Sequence, residues 1–464
     1  MRGAGKGVPL SVQLKREKMR FSAFALSGED FDVLRAWESE NCDCSDNVLQ
    51  AGFGMEMVYC PTMPVQKTSE GLPENCQFFP MPGVNAIDEQ TENVGALGSN
   101  GTLYTYNYLS EKWVSHYPFS SKMRALRVVW ENGKEQTAFI GSAGLYFYTH
   151  GKAVQTTGMV NLGERAHLAC VAQGRLFFVS APSTLCFSKA YDPSNFIQSV
   201  EDGGQVQLPT AYGDIVDLVA FGNHVCVVYE CGLSQVSIRG DATDFIVQTV
   251  EHTGGRIVHG SIGTCGSGGK TLYYLSESGI YKWSGNRVER VCKNIPILPK
   301  RTGQVCEHGF FEGKYILTYI DENRGRTCVV VDVETGDGYF ALVPYSLSEY
   351  KGGTLCCYAG YVRSLHRRGS LPNQATRSFS VYGLRWGKSG KKYLERLVIE
   401  GEGRLELEIC GNGKRQAFVV QMTGGVAEFP VKMRAQAFDL HLKLSDDTKV
   451  RAITMQSCRL HGLR

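Results

Sequence analysis

The stretch VGALGSNGTLYTY, residues 94–106, consists of an apolar segment, a glycine turn and a segment rich in aromatic residues. A similar unit, TAFIGSAGLYFY, spans residues 137–148, and looser copies surround five further glycines. The seven turn glycines are spaced 30 to 57 residues apart, with a mean near 43: Gly101, Gly144, Gly174, Gly222, Gly279, Gly313 and Gly360. Because a propeller blade takes about 40–50 residues, this repeat predicts a degenerate β-propeller of six to seven blades.

The composition favours an all-β chain. Among 464 residues there are 53 Gly, 22 Tyr and 22 Phe, and glycine favours turns while aromatic residues favour strands. The sixteen cysteines are scattered without a CxxC motif, which predicts mostly buried, reduced thiols and folding in a reducing cytoplasm. Neither a signal peptide nor an apolar membrane segment is recognisable, so we expect no membrane insertion.

Changes in pattern along the chain predict four regions. Near residue 390 the strands change to strict alternation, in which Leu405, Leu407 and Ile409 face one way and Glu406 and Glu408 the other. Such alternation is typical of sheets with one buried and one wet face. The predicted regions are a basic N-terminal arm (1–20), strands leading into the propeller (21–85), the β-propeller (86–389) and a C-terminal antiparallel β-sandwich (390–464).

Positive charge is concentrated in two segments although the net charge is only +3. Residues 1–20 hold six Lys or Arg against Glu17, and residues 361–396 hold nine against Glu395. Residues 361–396 are either a loop that contacts nucleic acid or an acidic partner surface, or a solvated loop. The basic arm either docks to a partner or is a disordered, mobile tail. The candidate docking residues of the arm are Lys15, Arg16, Lys18 and Arg20. The candidate channel or interaction residues are Arg363, Arg367, Arg368, Lys388, Lys391 and Lys392.

Signals for chemistry are weak. The segment ending in Gly269-Lys270-Thr271 lacks the glycine spacing of a phosphate-binding loop and precedes a strand, so we expect a glycine hairpin. The spacing of Cys42, Cys44, Cys60 and Cys76 matches no standard zinc motif. Five carboxylates near strand ends could serve a propeller hydrolase, or could simply be solvated turn residues: Asp214, Asp217, Glu277, Asp321 and Glu322. We therefore expect no enzyme activity and assign no catalytic, cofactor or metal residue.

Three segments carry a resemblance to a known family. They are ENCDCSDNVLQAGFG (40–54), RLFFV followed by YDPSNF (175–179 and 191–196), and the strand pair 215–238. With the order of arm, propeller and sandwich, they resemble the tail hub or nozzle of short-tailed bacteriophages, also called the packaged-DNA stabilisation protein. The cysteine content departs from what is usual in such virion proteins.

The resemblance implies a structural virion protein of the head-to-tail connector, assembled in the host cytoplasm. It implies a homo-oligomeric ring, usually sixfold, that contacts portal or adaptor and distal tail proteins, extends the DNA channel and helps retain packaged DNA. Two alternatives remain open at this stage. One is a propeller carbohydrate-binding protein or glycosidase, and the other is a cellular propeller scaffold for protein partners.

Overall fold

The protein is described by a computed structural model whose described residues form strands and turns, with no α-helix among them. The described residues are 12–22, 25–27, 37–43, 48–58, 66–82, 92–107, 109–149, 152–200, 202–238, 244–250, 254–265, 269–285, 287–293, 295–350, 353–366, 376–384, 392–423 and 425–460. The chain divides into two compact units. The terminal unit comprises Met1–Phe53, Asp337–Ala341 and Asn373–Arg464, and the propeller unit comprises Gly54–Gly336 and Leu342–Pro372.

The strands are numbered in chain order. The first six are β1 (Val12–Ser22), β2 (Ala25–Ser27), β3 (Trp37–Glu40), β4 (Cys42–Asp43), β5 (Leu49–Ala51) and β6 (Gly54–Met57). The next twelve are β7 (Cys76–Pro82), β8 (Glu92–Gly98), β9 (Thr102–Asn107), β10 (Lys112–Pro118), β11 (Met123–Val129), β12 (Glu135–Gly141), β13 (Gly144–Thr149), β14 (Lys152–Val160), β15 (Ala169–Ala172), β16 (Arg175–Ala181), β17 (Thr184–Phe187) and β18 (Gly204–Gln207). They are followed by β19 (Ile215–Phe221), β20 (His224–Tyr229), β21 (Leu233–Ser237), β22 (Val247–Val250), β23 (Gly263–Cys265), β24 (Thr271–Ser276), β25 (Gly279–Trp283), β26 (Val288–Arg290), β27 (Glu307–Phe311), β28 (Lys314–Asp321) and β29 (Gly325–Asp332). The last ten are β30 (Gly338–Ala341), β31 (Tyr345–Tyr350), β32 (Gly353–Tyr358), β33 (Tyr361–His366), β34 (Arg377–Leu384), β35 (Lys392–Gly411), β36 (Lys414–Met422), β37 (Val426–Ala435), β38 (Phe438–Leu444) and β39 (Lys449–Leu460).

The propeller unit contains six four-stranded antiparallel sheets. Five are consecutive meanders, β7–β10, β11–β14, β15–β18, β19–β22 and β23–β26, and the sixth combines β31–β33 with β6. The antiparallel meander β27–β29 lies between the fifth and the sixth. The first strands touch in the order β7, β11, β15, β19, β23, β27 and β31, and β31 touches β7. The predicted all-β propeller is confirmed, with six complete blades and the β27–β29 meander as a seventh position in the ring.

The repeated glycines account for the uneven spacing in the sequence. Each of the seven has a positive φ and lies in one blade or in the β27–β29 meander. Gly174, Gly222 and Gly313 connect the first and second strands of their sheets, whereas the other four connect the second and third. The number of residues between two consecutive repeat glycines therefore depends on which hairpin each glycine occupies in its own blade.

The core lies between neighbouring blades. Five buried apolar clusters each combine residues of two adjacent blades, and strands such as β12, β20 and β24 are buried along nearly their whole length. Between the fourth and fifth blades, for example, the rings of Phe221 and Trp283 stack with centroids 4.5 Å apart. Full burial of such a side chain contributes about 1.5–3 kcal/mol, so each blade depends on both neighbours for its stability.

The propeller unit begins and ends earlier than the sequence predicts. The predicted span was 86–389, but β6 is the outer strand of the last blade and pairs with β33 between residues 54–57 and 363–366. Strand β7 is the first strand of the first blade. The N-terminal strand β6 thus completes the blade that ends the circle, a long-range pairing that no local pattern reveals.

The terminal unit is a curled, antiparallel sheet built around the 20-residue strand β35. The first half of β35 pairs with β37 and β39, and its second half pairs with β36 and β38. The alternation predicted for this region is confirmed, since Leu405, Leu407 and Ile409 are buried. Strands from the N-terminal part join the sheet: β1 pairs with β39, and β3 pairs with β34.

The segment predicted to be a mobile basic arm contains a strand. In β1, residues Val12–Arg20 pair with Leu460–Ala452 of β39. The candidate docking residues Lys15, Arg16, Lys18 and Arg20 therefore have their backbone within a sheet, because the free edge of β39 offers hydrogen-bonding partners. Whether they also contact a partner stays a prediction.

Candidate functional site

One connection of the third blade presents large apolar side chains to solvent. It joins β17 to β18 and is called the 188–203 loop below, with Glu201 outside the described residues. Tyr191 is 50% exposed, Ile197 68% and Val200 51%. Single exposed apolar residues are ordinary on a protein surface, but three within ten residues form a candidate contact surface.

The tip of the 188–203 loop is held by a turn around Asp192. Its Oδ1 accepts hydrogen bonds from the backbone N–H of Ser194 at 3.2 Å and from the Ser194 hydroxyl at 2.7 Å. The backbone N–H of Lys189 donates to the carbonyl of Asn195 at 2.8 Å. Asp and Pro are favoured turn residues because Asp bonds its own backbone and Pro presets φ, and Pro193 is buried. These bonds give the segment Tyr191–Phe196 one defined conformation.

The base of the loop is fixed through Asp202. Its Oδ2 accepts a hydrogen bond from the Ser199 hydroxyl at 2.8 Å, and its carbonyl accepts one from the Arg175 guanidinium at 2.6 Å. The Lys189 ammonium lies 3.3 Å from Asp202 Oδ1. The hydrogen bonds from Ser199 and Lys189 lower the pKa of Asp202 below its ordinary value. The Asp202 carboxylate is thus charged at neutral pH, and its contact with Lys189 connects the end of the loop to its beginning.

Aromatic packing anchors the loop on the blade. The ring of Phe196 packs edge-on against Phe178, with centroids 5.4 Å apart. The backbone N–H of Tyr191 donates to the carbonyl of Gly174 at 2.7 Å, and the Tyr191 ring lies where a side chain on Gly174 would project. Tyr191 itself has a positive φ of 58°, which a tyrosine adopts only under local constraint. The loop is therefore ordered by the blade beneath it while Ile197 and Val200 remain exposed.

A second feature is a cavity of about 270 Å³ in the propeller unit, lined by both apolar and ionisable residues. It is lined from several blades, because β7, β11, β19 and β27 and the turns beside β15 and β23 all contribute. Its ionisable lining residues are Lys122, Arg124, His167, Asp217, His259, Glu307 and His308 together with two thiols. We call it the axial cavity, since these residues lie on or beside the first strands of the blades.

An ion pair crosses the lining of the axial cavity from the second blade to the fourth. The Arg124 guanidinium donates to Asp217 Oδ1 at 2.5 Å, and the same oxygen accepts the backbone N–H of Leu218 at 2.8 Å. Burial disfavours the charge on Arg124, but Asp217 outweighs burial and raises the pKa of Arg124. A buried charge that keeps its partner is tolerated, whereas loss of one partner is costly.

The three histidines of the cavity share one hydrogen-bonding arrangement. The Nδ1 atoms of His167, His259 and His308 lie 3.2, 2.8 and 3.0 Å from backbone carbonyls. A carbonyl only accepts, so Nδ1 carries the proton and Nε2 is left as an acceptor. Burial, then the nearby Lys122, lower the pKa of His167 to about 4, and burial lowers the pKa of His308.

These two histidines are therefore not poised for acid–base chemistry at neutral pH. A general base works best with a pKa near the operating pH, and His167 and His308 stay neutral well below it. Burial also raises the pKa of the lining thiols Cys76 and Cys306 to about 12, which keeps them as unreactive thiols. The arrangement can hold a small polar molecule or serve as a polar link between blades.

The five carboxylates singled out in the sequence lie in three blades or meanders. Asp214 pairs with Arg165 at 2.8 Å, and Asp217 pairs with Arg124. Glu277 lies in the β24–β25 hairpin. Asp321 accepts hydrogen bonds from Tyr319 at 3.0 Å and from two backbone N–H groups of its own β28–β29 turn, which also contains Glu322. Three of the five are thus already engaged in ion pairs or turns.

The candidate channel residues were predicted to lie in an exposed loop, and Arg363 does not. It lies in β33 and is 5% exposed, its Nε donates to the carbonyl of Tyr358 at 3.1 Å, and its guanidinium lies 5.7 Å from the centre of the Tyr361 ring. The expectation of a solvent-facing cation at this position is corrected, because Arg363 lies on an inner strand of the blade, paired with β6 and β32, and its side chain is buried. Arg367, Arg368, Lys388 and Lys391 lie outside the described residues. Lys392 begins β35, and only its backbone is described.

The cysteine and glycine motifs have structural roles where they are described. Cys42 is buried in β4 of the terminal unit and Cys76 in β7 of the propeller unit, while Cys44 and Cys60 lie outside the described residues. The thirteen cysteines whose side chains are described are all free, and eight of them are buried, as the scattered spacing predicts. The segment before Thr271 connects the paired strands β23 and β24 and is the expected hairpin.

Comparisons with known proteins identify no family. No protein-family model matches the sequence, and no curated protein matches it. Among solved structures, the chain is similar to the WD40 β-propeller domain of Doa1, with TM-score 0.40 and 13% identity over 64% of this chain and 94% of that one. It is also similar to BamB from Moraxella catarrhalis, with TM-score 0.38 and 10% identity over 67% of this chain and 97% of that one.

A third similar structure is longer than this chain. It is the extracellular domain of a B. thetaiotaomicron protein described as a one-component system, with TM-score 0.41 and 9% identity. The match covers 82% of this chain and 57% of that structure, so the chain spans little more than half its length.

No helix among the described residues is long and apolar enough to cross a membrane. The strand topology establishes a β-propeller protein, a fold suited to binding and protein interaction.

Proposed function

We propose that this chain is a structural protein of the head-to-tail connector of a short-tailed bacteriophage, a hub or nozzle subunit without catalytic activity. The observation that carries the proposal is the 188–203 loop, a rigid, solvent-exposed apolar surface on the propeller. The segment YDPSNF at its tip, residues 191–196, is also one of the three stretches that resemble phage tail propellers.

The loop has the properties of a protein contact surface. Apolar side chains that are ordered before binding lose little conformational entropy on association, and their burial drives it. Ile197 and Val200 supply the apolar area, and the hydrogen bonds of Asp192 and Asp202 supply the order. Functional residues are disproportionately found on loops that a rigid scaffold positions.

In the proposed assembly the chain forms a homo-oligomeric ring, a hexamer by the resemblance. The ring binds the portal or adaptor on one side and distal tail proteins on the other. It extends the channel for double-stranded DNA, whose contacts are weak and independent of sequence because phosphate contacts carry no sequence information. The protein is assembled in the host cytoplasm and is part of the virion.

Two alternatives make different demands on the same structure. A glycosidase needs two free carboxylates facing one substrate, and the engagement of Asp214, Asp217 and Asp321 favours the structural proposal over it. A cellular interaction scaffold would use the same 188–203 loop, so only the identity of the protein that binds the loop would distinguish this alternative from the phage proposal.

The test uses charged substitutions of the exposed apolar residues. Ile197→Asp with Val200→Asp is compared with Val154→Asp, since Val154 is 53% exposed on strand β14 of another blade. Each variant is purified, its melting temperature is measured, and its assembly alone and on a portal–adaptor complex is followed by native mass spectrometry. We expect all variants to fold, the loop variant to bind more than about 10-fold more weakly, as for a contact hot spot, and the Val154 variant to assemble normally. Normal assembly of the loop variant would overturn the docking role. A wild-type chain that ignores the portal–adaptor complex would overturn the phage proposal.

A further inference from the structure

We infer that Glu408, Cys410 and His441 form a zinc-binding site on the solvent-facing side of the terminal unit. The carboxylate oxygen, the thiol sulfur and the imidazole nitrogen of these residues lie within 4.8 Å of one another. All three residues are partly buried, so the group is both constrained and accessible. The inference is independent of the proposed function.

Strand register brings the three side chains together. Glu408 on β35 lies directly opposite His441 on β38, and Cys410 follows Glu408 by two residues. Residues two apart on a strand face the same side. The intervening residues Leu407 and Ile409 face the core and are at most 1% exposed, which fixes the three polar side chains on the outer face.

Neighbouring residues orient the imidazole for a metal. The Nδ1 of His441 lies 2.9 Å from the Ser380 hydroxyl on β34, and the His441 ring packs edge-on against Tyr382 with centroids 5.2 Å apart. With Nδ1–H donated to Ser380, Nε2 becomes the free metal ligand. A metal-binding histidine almost always has such an outer hydrogen bond on its second nitrogen.

The carboxylate is oriented in the same way. Arg415 on β36 donates to Glu408 Oε2, which leaves Oε1 facing the cluster. Glu408 Oε1 accepts the thiol hydrogen bond of Cys410, with sulfur and oxygen 3.4 Å apart. A metal ion between these two atoms would replace the shared proton and release it to solvent.

The ligand chemistry selects zinc. A thiolate, a carboxylate and a neutral imidazole carry two negative charges, which a divalent ion neutralises. Zinc binds cysteine, histidine and carboxylate ligands tetrahedrally, whereas Mg²⁺ and Ca²⁺ require oxygen ligands. Three protein ligands leave the fourth position for water. The ion would tie β35 to β38 across the outer face of the sheet.

The test is titration of the full chain with Co²⁺ and with Zn²⁺. Co²⁺ bound to a thiolate gives a sulfur-to-metal charge-transfer absorption, and Zn²⁺ competes for the same site. We expect one ion per chain, release of about one proton on binding and no response to Mg²⁺. Cys410→Ser should remove the absorption and weaken Zn²⁺ binding more than about 100-fold, since loss of an outer partner alone costs about 10–100-fold. Ser380→Ala should weaken Zn²⁺ binding by only about 10–100-fold.

The matched control is Cys231→Ser, because Cys231 is the exposed thiol among the described cysteines. It should bind both metals as the wild type does. Absence of the Co²⁺–thiolate absorption in the wild-type chain at millimolar metal would overturn the inference. An absorption that persists in Cys410→Ser would place the ion at other cysteines and would overturn it equally. Circular dichroism of each variant separates loss of metal binding from loss of folding.

Discussion

Replacement of Gly174 by Ala tests whether the blade beneath the 188–203 loop holds that loop in place. Gly174 has a φ of +71°, and a Cβ built there would lie 2.8 to 3.0 Å from three carbons of the Tyr191 ring. Gly313 is the matched control, since it occupies the same kind of hairpin with a φ of +74° and its Cβ would meet nothing within 4 Å. Both substitutions place alanine in the left-handed region, which costs about 1–2 kcal/mol.

Only Gly174→Ala also displaces the tyrosine ring. A tyrosine buries about 200 Å² when fully enclosed, and Tyr191 is 50% exposed. About 100 Å² of contact is therefore lost, worth up to about 2.5 kcal/mol at 25 cal/mol per Å². With full loss of this contact, the expected cost is about 3.5–4.5 kcal/mol for Gly174→Ala against about 1–2 kcal/mol for Gly313→Ala.

Thermal unfolding followed by circular dichroism measures the difference. At about 2 °C per kcal/mol for a unit of this size, the melting temperature should fall by about 7 °C for Gly174→Ala and by about 3 °C for Gly313→Ala. Partner binding should weaken in the first variant alone, because only there does the loop lose its anchor. Equal melting temperatures for the two variants would refute the packing of Tyr191 on Gly174.

Three further predictions concern buried charges and pH. Asp217→Ala should destabilise the propeller by about 1.5–3 kcal/mol in urea unfolding because it leaves the partly buried Arg124 charge unpaired, whereas Arg124→Met with Asp217→Leu should cost far less; equal costs would contradict an energetically coupled ion pair. Arg363→Glu should give an insoluble or partly unfolded chain, because a carboxylate would replace a guanidinium that is 5% exposed, and a normal melting temperature would show that the position is open to solvent. His167 has a folded pKa of about 4 against about 6.5 when unfolded. The contribution of His167 to the stability of the folded chain is therefore complete above pH about 6.5 and is lost as the pH falls towards 4. His167→Gln should flatten the dependence of the melting temperature on pH in that window, and an unchanged slope would argue against a neutral, partly buried imidazole.

The propeller was predictable because its signal is local. Each hairpin glycine and the apolar strands beside it lie within a dozen residues, so the repeat is visible in the sequence. The first and last residues of the propeller unit could not be predicted from such a local signal. Strand β6 reaches its partner β33 across about three hundred residues of chain, and the edge of β39 that β1 covers is equally remote in sequence.

The candidate sites depend on information that the sequence pattern does not contain. Alternation placed Glu408 on the wet face of its strand, but the register that sets it opposite His441 depends on how β35 and β38 pair. The segment Tyr191–Phe196 was recognised as a motif, yet its consequence, the exposure of Ile197 and Val200, follows from the turn around Asp192. Arg363 was assigned to a surface because its neighbours in sequence are basic, while its burial is set by β6 and β32.

The assembly state of the chain tests the central claim most directly. Native mass spectrometry of the purified wild-type chain, alone and with a portal–adaptor complex, reports whether it forms a ring. The account predicts a closed oligomer, alone or on that complex, which is lost when Ile197 and Val200 are replaced by Asp. A chain that stays monomeric in both conditions would contradict the claim that the 188–203 loop serves the assembly of a phage tail.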